Sequence, residues 1–480
     1  MKANKIEKLT GRFYTPEFMV KTILDLSDYY DKNIEKKHII DNSCGDGAFL
    51  KEIVTRYCNI RIKNNIDLVA LKFELETYIH GIEIDKIECA KCIENLNDIA
   101  KNFGIENVKW DVNNLDTLNV DCYNNKMDFV VGNPPYVRIH NIMDNVESIK
   151  KFSFAQSGMT DLYIVFYEIG LNMLNNNGTL GYITPSSFFN SIAGNYMRKY
   201  IIEHKLLTKI VNLKHFQPFE ATTYTTIAIM QKNNKNSEIQ YYEFDEKNKI
   251  PYYVETLNYN DCYISNNFFF STKLNLNLIK KIYFNLGHCD IEVKNGYATL
   301  CDDVFISTFD FNSNYIIPVI KASKGITQQI IFPYDKNAQI ITEDKLQNDK
   351  NLYNYLTLNK EKLLNRSIEK NAKNNWYAFG RSQALADTFN DKLTVNALIR
   401  NKNDLKMIEA PAGVGVYSGL YLITKTYDFD TIKNLLRSDE FVNFISILGK
   451  YKSGGFYTFS SKEVKLFLDY KLAYNGGLLA

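Results

Sequence analysis

The four residues Asn133-Pro134-Pro135-Tyr136 combine types and spacing suited to one kind of chemistry. Two successive prolines fix two φ angles and remove two backbone donors, so the stretch cannot extend a sheet and forms a rigid loop. The run ahead of it, Met127-Asp128-Phe129-Val130-Val131-Gly132, reads as a buried strand. The carboxyl end of such a strand is where open α/β sheets hold ligands. An amide at Asn133 beside the ring of Tyr136 can hold a planar, weakly nucleophilic amine by hydrogen bonds while the ring stacks on its face. The substrate that suits this pair is a nucleobase.

The elements that must position this loop are strands alternating with helical patterns as far as about residue 232. His38 to Asp41, Tyr78 to Ile84, Val108 to Val112 and Met127 to Gly132 read as strands, with helices from Ala48 and over Ile87 to Phe103. That alternation predicts a mostly parallel, doubly wound α/β sheet. Asp161 to Leu174 has helical spacing and should stop at a turn, Asn175-Asn176-Asn177-Gly178, followed by strands at Thr179 to Ile183, Ile210 to Leu213 and Thr225 to Met230. The border of the first domain is expected within about 232 to 265 and is set at 245, giving domains 1–245 and 246–480. The second half mixes strand-like pieces (Ala298 to Ile306, Tyr315 to Ile320) with helix-like ones (Leu352 to Glu369, Phe429 to Leu436), which predicts an irregular α+β domain.

A second group of residues surrounds the expected strand ends. Asp41-Asn42-Ser43-Cys44-Gly45-Asp46-Gly47 joins the first strand to a helix, and its glycines let backbone amides approach a ligand. Glu83, closing the second strand, can accept both hydroxyls of a ribose. Asp111, placed at the end of the third, can accept from an adenine amino group. Any one of these acids reads equally well as a helix cap or a solvated strand end, whereas three strand ends in succession point to a nucleoside pocket. The glycine spacing is not that of nicotinamide dinucleotide sites, which favours another adenosine-containing cofactor.

Together these stretches resemble gamma-class, TaqI-type DNA adenine-N6 methyltransferases of type II restriction-modification systems. The matching pieces are Gly11 to Pro16, the Asp41 to Gly47 loop, Glu83, Asp111, Asn133 to Tyr136, Asp161-Leu162-Tyr163, Asn177-Gly178 and Phe216 to Thr226. Asn42 departs from the proline common after the first acidic residue. The resemblance implies a Rossmann-like S-adenosylmethionine (SAM) domain followed by a target-recognition domain. It puts Thr15, Asp41, Ser43 and Gly45 near the methionine part of the cofactor, Glu83 on the ribose, Ile84 on the adenine face, and Asp111 with the Val112 backbone on the adenine edge. Asn133 and the Pro134 carbonyl would accept from the target amine and Tyr136 would stack on the base. Phe219 is the candidate for the opposing ring, with Phe216 as competitor and core packing as the plain alternative for either.

In the second half, Trp376 to Gln383 joins aromatic residues to Arg381, Ser382 and Gln383, side chains capable of contacting phosphates and base edges. Arg381 serves a structural salt bridge equally well. Lys450 to Tyr457, a basic glycine-rich turn containing Lys452, could lie on a nucleic-acid backbone or simply join two elements.

Composition sets the outer limits. The 480 residues imply two domains or three small ones. Absence of a long apolar run or signal stretch predicts a soluble, cytoplasmic protein without membrane association. Eight scattered cysteines form no disulfide framework. Cys89 and Cys92 fall in an expected helix, so packing is their reading and no metal is expected. The net charge of +2 argues neither way, but residues 1–245 hold 28 Lys and Arg against 31 Asp and Glu, and the remainder 29 against 24. The basic excess therefore lies in the second half, a weak pointer to a polyanion contact there. Double-stranded DNA is the expected partner of a monomeric enzyme, within a modification system whose endonuclease acts separately or as an orphan mark. Rival readings are an RNA adenine methyltransferase, a release-factor glutamine methyltransferase, and a non-catalytic specificity subunit with a SAM fold. A fused endonuclease is not expected, since no nuclease-sized segment precedes Gly11.

Overall fold

In the computed structural model, residues 14–138, 149–219, 223–367 and 375–476 are described. Five parallel strands form the first part of a nine-stranded sheet: β1 (Ile39–Asp41), β2 (Ile79–Ile82), β3 (Asp111–Asn113), β4 (Met127–Gly132) and β5 (Leu174–Pro185). β6 (Leu207–Asn212), β7 (Thr225–Gln231), β8 (Glu238–Asp245) and β9 (Ile250–Asn258) complete it, in the order β3-β2-β1-β4-β5-β7-β6-β8-β9. β7 is antiparallel to both of its neighbours, so the sheet is mixed. β1, β4 and β7 are buried along nearly their whole length, which is why their sequences read as continuous apolar runs rather than as alternation.

Helices α1 (Glu17–Leu26), α2 (Ala48–Lys63), α3 (Leu68–Tyr78), α4 (Lys86–Asn102), α5 (Leu162–Met173) and α6 (Asn195–His204) accompany the sheet. Asp85 caps α4 by accepting from the Ile87 and Glu88 amides, and Cys89, Cys92, Leu96 and Ala100 bury its inner stripe. The cysteine pair is thus part of a helix face packed into the core.

Three expectations change. β8 and β9 form a hairpin that extends the sheet beyond residue 245; the chain divides into compact units Met1–Asn277 and Leu278–Ala480. The predicted turn at Asn175 to Gly178 lies inside β5, where the pairing with β4 changes register between Met127 and Phe129. Asp111 begins β3 instead of ending it.

The second unit is α+β and irregular. One four-stranded sheet runs Glu292–Asn295, Leu420–Ile423, Lys392–Val395, Met407–Ala410; another runs Ile306–Ser307, Ile326–Ile331, Ile316–Lys321, Gly415–Tyr417. The expected strand from Ala298 instead holds a short helix, Asp302–Phe305, before its last residue. The expected helix from Leu352 is two short ones, Lys350–Leu358 and Lys360–Leu364, its final residues lying outside the described ones. The helix at Phe429–Leu436 has the expected bounds. Among the described residues no helix is long and apolar enough to cross a membrane.

Candidate cofactor cavity and base-binding loop

A cavity of about 480 Å³ opens at the carboxyl ends of β1, β2 and β4, where the strand order reverses between β1 and its two neighbours. Such a switch point leaves a crevice between diverging loops. Thr15, Asp41, Ser43, Gly45, Glu83, Ile84 and Asn133 all line it. Of the amino-terminal motif, Tyr14 and Thr15 line the cavity, while Gly11 to Phe13 lie outside the described residues.

The loop after β1 is shaped by close approach. Gly47 has φ +91°, and a Cβ there would stand 2.7 Å from Cys92 Sγ on α4, so only glycine lets α2 begin against α4. Glu83, 6% exposed, accepts from the Gly45 amide at 2.9 Å with one oxygen and from the Asp85 amide at 2.9 Å with the other. Its carboxylate is thereby fixed in the cavity wall. Ile84 beside it is 65% exposed, an apolar surface on which a flat base can rest.

Asp41 is 1% exposed and accepts from the Ser43 amide at 3.0 Å. Burial, reinforced by the nearby Glu83 charge and only partly offset by that amide, pushes its pKa up to about 8. Without a cation the group is largely protonated at neutral pH; a cation in the cavity would favour its ionised form. The chemistry of this lining fits a ligand that joins an adenosine to a positively charged tail.

Asn42 fills the position where the resembled family commonly has proline, and it is fully buried. Its Oδ1 accepts from the Tyr182 hydroxyl at 2.9 Å and its carbonyl from the Thr117 hydroxyl at 2.7 Å. The amide thus ties the end of β1 to β5 and to the loop beyond β3.

Asp111 and Val112 lie apart from the cavity. Asp111 contacts the His80 ring at 2.6 Å and accepts from Asn113 at 2.6 Å and Tyr123 at 2.9 Å. Burial raises its pKa, but these bonds outweigh burial and hold the carboxyl below its usual range. Val112 is a core residue. In their place the structure brings Asp116, Thr117 and Leu118 to the cavity wall, with Asp116 accepting from the Leu118 amide at 3.0 Å. The overlooked signal was the Asp116-Thr117 pair itself, a capping-type sequence just past a strand, in the position where the carboxyl-end loop must begin.

Asn133 joins cavity and loop. Its Nδ2 donates to Thr15 Oγ1 at 3.2 Å, and its carbonyl accepts from Ser43 Oγ at 3.5 Å. Pro134 is buried, and the Tyr136 hydroxyl donates to the Ile183 carbonyl at 3.1 Å, anchoring the ring on β5. The Phe219 ring lies 6.1 Å from that of Tyr136 at 73°. Phe216 instead stacks on Phe244 at 4.9 Å, so of the two candidates Phe219 is the one beside the loop. The edge-to-face contact leaves no slot, and taking a base between the rings requires them to separate. Glu220 to Thr222 lie outside the described residues.

A family model described as the Eco57I restriction-modification methylase matches residues 51–219, from α2 to Phe219. Over that stretch the chain carries an Eco57I-type restriction-modification methylase domain. Over 251 residues the chain is 32% identical to the type II methyltransferase M.BstVI of Geobacillus stearothermophilus, covering 48% of this chain and 44% of that protein. It is 24% identical over 420 residues to the type II methyltransferase M.AccI of Acinetobacter calcoaceticus, covering 77% of this chain and 69% of that one. The chain thus spans less than half the length of M.BstVI. The type IIL restriction-modification enzyme MmeI, solved in complex with DNA, shares the fold at a TM-score of 0.62 and 12% identity, over 94% of this chain and 64% of that one.

Outside the methylase domain, the second unit separates the expected contact residues. Trp376, Tyr377 and Phe379 are buried in its core, and Arg366 holds their backbone by donating to the carbonyls of Trp376 at 2.9 Å and Ala378 at 2.9 Å. These aromatics therefore pack the unit instead of facing a nucleic acid. Gln383 donates to the Gly296 carbonyl at 2.5 Å and is structural in the same sense. Arg381 and Ser382 are exposed, and no salt bridge holds Arg381 among the described residues. Lys450 pairs with Glu463 at 2.9 Å, whereas Lys452 is exposed in a hairpin, Tyr451–Lys452 against Phe456–Thr458, beside an open groove that includes Ser323, Ser418 and Ser460.

Proposed function

We propose that this chain is a site-specific DNA methyltransferase that transfers a methyl group from SAM to the exocyclic N6 amine of an adenine flipped out of duplex DNA. The observation that carries the reading is the shared wall: Asn133 is bonded to Thr15 and Ser43 of the cofactor cavity and stands three residues before the ring that meets Phe219. The similarity to the type II methyltransferases M.BstVI and M.AccI supports the same class of activity.

SAM, when bound, supplies a methyl group already activated on a sulfonium. Glu83 would hold the ribose hydroxyls, Ile84 would cover one face of the cofactor adenine, and Asp116 with the Leu118 backbone would meet its edge. Asp41 meets the positive end. On the substrate side, an adenine amine has its lone pair delocalised into the ring. Asn133 Oδ1 and the Pro134 carbonyl accept its two hydrogens and draw them out of plane, restoring nucleophilic character without a strong base. The work of the site is positioning plus stabilisation of the charge that grows on nitrogen, and a neutral amide does this without burying another ionised group. Tyr136 and Phe219 hold the extruded base by stacking, and Arg381, Ser382 and Lys452 contact the DNA from the second unit.

The test is transfer of labelled methyl from SAM to mixed-sequence duplex DNA, RNA and a release factor in parallel. Label as N6-methyladenine at one recurring DNA sequence is expected, and Asn133→Ala should lower kcat by at least about 100-fold with SAM affinity nearly intact. Label confined to RNA or protein would replace the substrate, and its absence everywhere would favour a non-catalytic specificity subunit.

A further inference from the structure

Two loops at the carboxyl edge of the first sheet carry Met159 and Ile192, each 78% exposed. The first leads into α5. Arg138 bridges to Asp161, and the Leu162 amide donates to the Val137 carbonyl at 2.8 Å, so this loop runs beside the chain that leaves Tyr136. The second follows the short helix Ser186–Phe189 at the end of β5, the strand that pairs with β4. The two loops touch: a Cβ at Gly158, whose φ is +58°, would stand 3.1 Å from Ile192 Cγ2.

Both loops are anchored from beneath. Arg198, 3% exposed, donates to the carbonyls of Phe188, Ser191 and Asn266, each at 2.7 Å. Thr160, also 3% exposed, donates to the Ser157 carbonyl at 3.1 Å. A slack loop would turn an isoleucine or methionine down onto the protein, whereas these anchored backbones keep both tips in water. Single exposed apolar residues are ordinary surface. Two in touching, anchored loops on the edge that carries the base-binding residues are a different arrangement. Ile and Met are among the side chains that proteins insert between base steps to unstack them.

We propose that Met159 and Ile192 form a wedge that enters the duplex beside the target adenine and occupies the space its extrusion leaves. The proposal rests on the base-flipping reading above. Both are positioning residues: they act on the base step and touch none of the reacting atoms.

The methylated sequence is first mapped with the full chain on mixed-sequence duplex. Oligonucleotides carrying it are then offered fully paired and with the base opposite the target adenine removed. Loss of that pairing lowers the cost of extrusion. The double variant Met159→Ala, Ile192→Ala should lower kcat/KM on paired DNA by on the order of tenfold, and on the abasic-opposed form by less than about twofold. A fluorescent 2-aminopurine at the target position should brighten less with the variant on paired DNA. Equal losses on both substrates, or none on either, would overturn the wedge. A wild-type chain that methylates neither substrate would overturn the methyltransferase reading, and the wedge with it.

Discussion

At the scale of single residues, the role proposed for Asp41 couples cofactor binding to protons. Its pKa of about 8 in the folded chain stands well above the ordinary carboxyl value of 3.8. The folded state therefore holds a proton that the unfolded state gives up between those values. The ligand-free fold is most stable with respect to this group below the unfolded carboxyl's range, and loses that stability as pH climbs to about 8. A cationic ligand reverses the preference, so SAM binding should release a proton at pH 6.5 and none well above pH 8. Calorimetry in buffers of different ionisation enthalpy measures this directly. Heats independent of buffer at pH 6.5, or unchanged release in Asp41→Asn, would contradict the assignment. Residue identity made Asp41, Glu83 and Asn133 legible in the sequence as cavity residues, because Asp41 closes a recognisable buried strand and the other two directly follow one. Asp111 differs from expectation because β3 begins at this residue, which puts the acid at the opposite end of the strand from the cavity.

At the scale of elements, the parallel strands with apolar runs were readable, and so was the loop that interrupts them. The Asn175 to Gly178 turn was not, since four consecutive turn-forming residues are absorbed by a register irregularity inside β5. Nor could the sequence show that Asn42 bonds across to β5, a contact made 140 residues away. That bond gives a prediction for the joint between β1 and β5. Tyr182→Phe leaves the buried Asn42 oxygen without its donor and should destabilise the first unit by about 1–3 kcal/mol, read as a lower urea midpoint at unchanged slope. Stability equal to the parent would show that the joint contributes little. The aromatic stretch Trp376 to Phe379 teaches the converse lesson: composition suggested a nucleic-acid surface, but a run of aromatics is also what a small irregular domain needs for its core.

At the scale of the whole molecule, the proposed catalytic residues and the proposed DNA contacts Arg381, Ser382 and Lys452 fall in separate compact units, Met1–Asn277 and Leu278–Ala480. If Arg381 contacts DNA, Arg381→Ala should weaken DNA binding or relax site choice, reduce the salt dependence of binding, and leave SAM affinity alone. Filter binding at several salt concentrations decides this, and unchanged slope and site choice would return Arg381 to a surface role. The first unit runs past 245 because the hairpin that follows a loop of polar residues, which in the sequence looks like a new beginning, completes the old sheet through its pairing partners.

The strand order also fixes a timetable for synthesis. β6 pairs with β7 and β8 but never with β5, so a growing chain has no place in the sheet for β6 until β7 has left the ribosome. Phe219 lies on the connection between those two strands. The nascent protein thus has every strand end that lines the cavity in hand well before Phe219 reaches Tyr136, and that ring pair is completed last.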